Sequence, residues 1–103
     1  MAKIKVLEKH VRKKIVTMLQ IKRWYVYWNL QGLGCKTGLS DLVAVKNGIV
    51  IWIEVKKPGG KQSPGQITFE ADITGAGGNY VCAASWDAVD NYIEGLKKQG
   101  FDL

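Results

Sequence analysis

The sequence predicts an α/β fold in which a mixed β-sheet is flanked by helices, with elements in the order α-β-β-β-α-β-α. Three observations carry this. Apolar residues recur at helical spacing at Ile4, Leu7, Val11, Ile15 and Met18. Asn47-Gly48 separates two β-branched runs, Leu42–Lys46 and Ile49–Lys56, as a type I′ turn separates the arms of a hairpin. A helical pattern and a last strand pattern follow, and such a crossover is expected to bring that strand back parallel to Ile49–Lys56.

The first helix is amphipathic, with its basic residues on the outer face. Trp24-Tyr25-Val26-Tyr27-Trp28 has high β propensity and leads into a glycine-rich connector, Gln31 to Gly38. Pro58-Gly59-Gly60 ends the second hairpin strand, and Ser63-Pro64-Gly65-Gln66 opens a helix that runs to about Thr74: Ser at the N-cap, Pro in the first turn, Gln at the capping-box position. Gly77-Gly78 closes it. Asn79 to Ala84 reads as a strand, and Ser85 caps a helix over Trp86–Lys98 with Val89, Ile93 and Leu96 inward.

With 103 residues the chain is expected to form a single domain over 1–103. No apolar run approaches the roughly 20 residues of a membrane span, and the charged start lacks the apolar core of a signal peptide. Cys35 and Cys82 lie too far apart in sequence for a zinc knuckle and are expected to be reduced thiols, so the expected setting is intracellular. His10 is the only histidine, which disfavours zinc hydrolases and serine hydrolases with a histidine base. Gly32-x-Gly34 lacks the Gly-Lys-Ser/Thr ending of a nucleotide phosphate loop. The net charge of +6 is unevenly spread, because Glu8 alone opposes the nine basic residues up to Lys36. That distribution suits a polyanion lying on the first helix, the alternative being a solvated helix face. Trp24, Tyr25, Tyr27 and Trp28 form an aromatic strand suited to core, to a dimer interface or, less often, to base stacking.

Asp41 and Glu54 are the residues on which chemistry converges. In a bulge-free hairpin about Asn47-Gly48, Lys46 faces Ile49 and Asp41 comes to lie opposite Glu54. Glu54 and Lys56 share one face of their strand, with Ile51, Ile53 and Val55 on the other. Carboxylates leaving an apolar strand need a cation, and a hard divalent ion held by Asp41, Glu54 and the backbone carbonyl of Val55 is one that hydrolyses phosphodiesters. Lys56 would orient water or meet charge on the phosphorane; the competing reading is a plain Lys56 salt bridge. Glu8 is also a simple i,i+4 partner of Arg12, and Gln66 is also explained as a capping-box residue.

Four ordered segments turn the balance for Glu54 and Lys56 towards the catalytic reading: Gly38-Leu39-Ser40-Asp41-Leu42, Ile53-Glu54-Val55-Lys56-Lys57-Pro58-Gly59-Gly60, Ser63-Pro64-Gly65-Gln66 and Gly77-Gly78-Asn79-Tyr80. Together they resemble the VRR-NUC family of the PD-(D/E)XK nuclease superfamily over nearly the whole chain. The resemblance implies a restriction-endonuclease-like core and an active site of Glu8, Asp41, Glu54, Lys56 and Gln66. It also implies an Mg²⁺ cofactor for which Mn²⁺ substitutes, and DNA contact by Lys9, Arg12, Lys13 and Lys57. The signature that names the family reads Val11-Arg12-Lys13 here, which keeps the charge and loses one planar bidentate donor. Stand-alone members resemble Holliday-junction resolvases, so a homodimer acting on branched DNA, in a phage-infected or other bacterial cytoplasm, is the expectation. Flap or duplex-end cleavage and a non-catalytic nucleic-acid-binding module are the alternatives.

Overall fold

The computed structural model describes residues 6–29 and 36–103. The expected beginning of the first helix at Ile4, the Gly32-x-Gly34 stretch and Cys35 lie outside them. The elements are α1 (Glu8–Ile21), β1 (Tyr25–Trp28), β2 (Leu42–Lys46), β3 (Ile49–Val55), α2 (Pro64–Gly75), β4 (Asn79–Ala83) and α3 (Trp86–Lys98). This is the expected order; α1 begins only at Glu8, after the non-helical Val6 and Leu7, and the other element ends move by a residue or two. No helix among the described residues is long and apolar enough to cross a membrane.

The four strands lie in sequence order β1-β2-β3-β4. β1–β2 and β2–β3 are antiparallel and β3–β4 is parallel. The hairpin holds its bulge-free register from Lys46↔Ile49 to Leu42↔Ile53. Its turn places Asn47 at φ 50° and Gly48 at φ 81°, the left-handed pair that a two-residue turn needs to match strand twist. The α2 crossover returns β4 beside β3, with Glu54 facing Cys82 and Val55 facing Ala83.

One face of the sheet forms the main core. Leu42, Ala44, Ile51, Ile53, Val55 and Ala83 meet Val11, Ile15 and Leu19 of α1 and Val89, Ile93 and Leu96 of α3. Trp24 belongs to this core as well, whereas Tyr25, Tyr27 and Trp28 of the edge strand are exposed. The aromatic run therefore splits at the start of β1. On the opposite face α2 packs against β4, its Phe69 ring 6.1 Å from that of Tyr80. Burial on both faces explains why β3 reads as a continuous apolar run and not as an alternation.

Helix ends are set locally. α2 begins with a reciprocal box in which Ser63 Oγ accepts from the Gln66 N–H at 3.2 Å and Gln66 Oε1 accepts from the Ser63 N–H at 2.8 Å. Ser85 Oγ accepts from the Ala88 N–H at the start of α3. α1 ends in a Schellman arrangement, with Trp24 N–H donating to Leu19 O and Arg23 N–H to Gln20 O. Arg23 takes the left-handed position at φ 69°, usually a glycine's, and the tight exit delivers Trp24 to the core.

Candidate functional site

The site forms at the carboxyl end of β3, where hairpin register, crossover and the first turn of α2 converge. Asp41 directly precedes β2 and therefore stands opposite Glu54, as the register arithmetic requires. Its Oδ2 accepts the Val55 N–H at 2.8 Å, so a side chain continues the ladder where strand pairing stops. Backbone N–H and C=O of one strand residue point to the same side, so Val55 also directs its carbonyl towards Asp41. Lys56 N–H donates to Ala83 O at 2.9 Å, which closes the β3–β4 pairing at Val55↔Ala83, just past Glu54.

The approach to Asp41 depends on close backbone packing. Gly38 lies at φ 77°, and a Cβ placed on it would come 2.0 Å from the carbonyl oxygen of Gly65 in the first turn of α2. Only a residue without a side chain lets this loop press against the helix that carries Gln66. Asn29 anchors the same loop from β1: its N–H donates to Asp41 O and its Nδ2 to Ser40 O, both at 2.9 Å. Ser40 is fully buried, with Oγ donating to Leu42 O at 3.3 Å. Sequence reasoning missed Asn29, since no local pattern links it to a loop eleven residues on.

Glu54 is the focus of the site. Only 2% of it is exposed. Its Oε1 accepts from Gln66 Nε2 at 3.0 Å and lies 3.9 Å from Lys56 Nζ. Its Oε2 is buried with no hydrogen-bond partner. Burial, reinforced by the adjacent Asp41 carboxylate and by its charge, pushes the Glu54 carboxyl up to about 8; Lys56 opposes the shift and Glu8 adds slightly to it. Two facing carboxylates are both acceptors once ionised, so the pair needs a shared proton or a cation.

Glu8 stands one helical turn before Arg12, whose guanidinium binds Glu8 Oε2 at 2.9 Å and approaches Asp41 Oδ1 at 3.8 Å. The i,i+4 pair is thus real, and Arg12 ties it to the site. Arg12, expected among the DNA contacts, is half-buried and faces these carboxylates. Lys9, Lys13 and Lys57, the other expected DNA contacts, are exposed. The two accounts of Gln66 turn out to be compatible, because its oxygen caps α2 while its amide nitrogen holds Glu54. Cys82, exposed beside Glu54 on the neighbouring strand, is a member of the surroundings that the sequence did not single out; burial and nearby carboxylates push its thiol up. His10 is exposed, its Nδ1 accepting the Leu7 N–H at 3.3 Å.

Among the described residues no group of three or more His, Cys, Asp and Glu side chains forms a ready metal cage. The donors present suit a hard divalent ion nonetheless: two adjacent carboxylates, one with an unpartnered buried oxygen, and a backbone carbonyl on the same side. Magnesium is commonly held by one or two carboxylates, with water and phosphate oxygens completing the shell.

No family model and no curated protein matches this sequence. Among solved structures, one described as "VRR_NUC domain" is similar to it at 26% identity with a TM-score of 0.73, covering 84% of this chain and 94% of that one.

Proposed function

The chain belongs to the VRR-NUC family, and from that premise we propose that it is a metal-dependent endonuclease that cuts branched DNA such as Holliday junctions. The observation that carries the catalytic part of this reading is the buried, unpartnered Oε2 of Glu54 beside Asp41. A charged oxygen left there costs several kcal/mol unless a cation meets it.

Asp41, Glu54 and the Val55 carbonyl would hold Mg²⁺, with Mn²⁺ as a substitute. The bound ion supplies positive charge to the scissile phosphate and acidity to an attacking water. Gln66 holds Glu54 Oε1, so that Oε2 would be the oxygen available to the ion. Lys56, close to Glu54 and largely shielded from solvent, orients the water or meets the charge that develops on the phosphorane. Arg12 braces Asp41 and Glu8, and the exposed Lys9, Lys13 and Lys57 bind phosphates on either side of the cleaved bond.

Branched DNA is favoured as substrate by the resemblance to Holliday-junction resolvases, and paired cuts by a small protomer with one such site call for two copies related by a two-fold axis. The exposed edge of β1, with Tyr25, Tyr27 and Trp28, is the surface we assign to that pairing.

The test is incubation of the purified protein with a four-way junction, a flap, a duplex and single strands in Mg²⁺, Mn²⁺ or EDTA. Cleavage of the junction in either metal and not in EDTA is expected. Glu54→Ala should reduce cleavage by about 10²–10³-fold or more while binding in EDTA persists. Undiminished cleavage by that variant overturns the site assignment. Binding without cleavage under every metal condition would favour a non-catalytic nucleic-acid-binding module.

A further inference from the structure

Gln62 stands immediately before the N-cap of α2, and its side chain ties that helix to the sheet. Its Nε2 donates to Glu70 Oε1 at 3.0 Å and to Tyr80 Oη at 3.3 Å, so both amide hydrogens are used. Glu70 lies one helical turn beyond Gln66 and therefore shares its face of α2. Tyr80 is buried, with its ring against Phe69 of the same helix. We propose that these contacts make Gln62 a positioning residue of the candidate site, one that fixes which end of the Gln66 amide meets Glu54. The proposal rests on the nuclease reading and adds to it a residue that never touches substrate or ion.

The connection runs through a single peptide unit. The Ser63 N–H that donates to Gln66 Oε1 at 2.8 Å belongs to the planar peptide between Gln62 and Ser63, so holding the Gln62 side chain holds the direction of that N–H. A glutamine amide donates at one end and accepts at the other. With its oxygen taken by Ser63, Gln66 has only N–H groups left for Glu54, and one reaches Glu54 Oε1 at 3.0 Å. Turned over, the amide would set its oxygen against a carboxylate, two acceptors with no proton between them. Glu54 would then lose the partner that occupies Oε1 and reserves Oε2 for a cation.

Sheet register places the contacts on the right side. Glu54 faces Cys82 and Trp52 faces Tyr80, and residues two apart on a strand share a face, so Tyr80 stands on the Glu54 side of the sheet. The connection that Gln62 closes is the one that leaves β3 with Lys56 and Lys57. It turns back where Gly60 N–H donates to Lys57 O at 2.9 Å, and Gln62 secures its far end. Capping of α2 needs none of this, because Ser63 and Gln66 complete the reciprocal box between themselves. What Gln62 adds is a fixed approach of that box to β4 and so to Glu54.

The experiment follows the Gln66 side-chain amide by NMR in the full chain labelled with ¹⁵N-glutamine, in EDTA, and the Mg²⁺ concentration that gives half of the metal's thermal stabilisation. In wild type the Gln66 amide protons should be slow to exchange and displaced from the position of a free glutamine. Gln62→Ala should return them towards that position and raise the Mg²⁺ midpoint by about fivefold, the scale of one hydrogen bond acting at second hand. Gln62→Glu, which sets two carboxylates against each other, should do the same or more. Combined with Glu70→Gln it regains a donor and an acceptor across the gap, which should restore the signals and bring the midpoint within about twofold of wild type. Ser63→Ala loses the cap oxygen but keeps the N–H, and should lower the melt while leaving the Gln66 signals in place. Unmoved Gln66 signals in Gln62→Ala overturn the proposal whatever happens to the melt, as do moved signals with an unchanged midpoint, or a paired substitution no better than Gln62→Glu. A wild type that cuts no DNA and gains nothing from Mg²⁺ removes the nuclease reading, and the Gln66 signals in EDTA still decide whether Gln62 directs that amide.

Discussion

Glu54 combines burial, a carboxylate neighbour and an oxygen with no partner. Its folded carboxyl titrates near 8 against 4.5 for the free side chain, so between those values the metal-free folded state holds a proton that the unfolded chain has lost. Stability is greatest below the lower value and is lost as pH rises through the upper one. Thermal melts in EDTA should therefore fall from pH 5 to pH 8.5, Glu54→Gln should flatten the trend, and Mg²⁺ should restore stability at the alkaline end. A flat profile for wild type in EDTA would contradict this account. Gln66 permits a cleaner separation of structure from chemistry, because its two ends serve different partners. Gln66→Glu retains an acceptor for the cap but aims a third acidic group at Glu54. Cleavage should drop by about tenfold or more while the melt shifts by no more than the roughly 1 kcal/mol that a cap is worth. Ser63→Ala should show the reverse pattern, measured by the same two assays.

The elements bring these residues together by different means. Hairpin register turns a separation of thirteen positions into a facing pair, and it does so only because Asn47-Gly48 adopts a two-residue turn without a bulge. That step was legible in the sequence, since turn chemistry and the two-residue strand period are local properties. The loop before Asp41 was legible only as a motif. Its placement depends on Gly38 touching the backbone of Gly65, and on Asn29 reaching across from β1. Gly38→Ala should cost about 2–4 kcal/mol from overpacking and left-handed strain, and should lower cleavage more than stability alone accounts for, because it moves Asp41 away from Gln66's helix. Denaturant unfolding alongside initial cleavage rates checks both. Full activity in this variant would show that the close approach is dispensable. Helix limits were readable for a similar reason: Ser63, Pro64 and Ser85 act within one turn of chain.

In the molecule as a whole, α1 and α3 cover one face of the sheet, α2 covers the other, and among the described residues β1 is the edge strand, with three exposed aromatic side chains. If that edge pairs two protomers, light scattering should report a dimer, and Tyr25→Glu with Tyr27→Glu should yield a folded monomer with reduced paired cutting of a four-way junction. A wild-type monomer at micromolar concentration would remove β1 from the account. By itself the sequence determined what is local or periodic: element order, turn and cap chemistry, the apolar β3 core, the basic bias of the first helix and the facing of Asp41 and Glu54. Tertiary structure alone decided that Arg12 turns inward to the acids, that Gln66 serves cap and carboxylate together, and that Glu54 Oε2 is left without a partner. The reason is physical. Hydrogen bonding within a turn depends on neighbours in sequence, whereas burial and charge coupling depend on which distant surfaces meet.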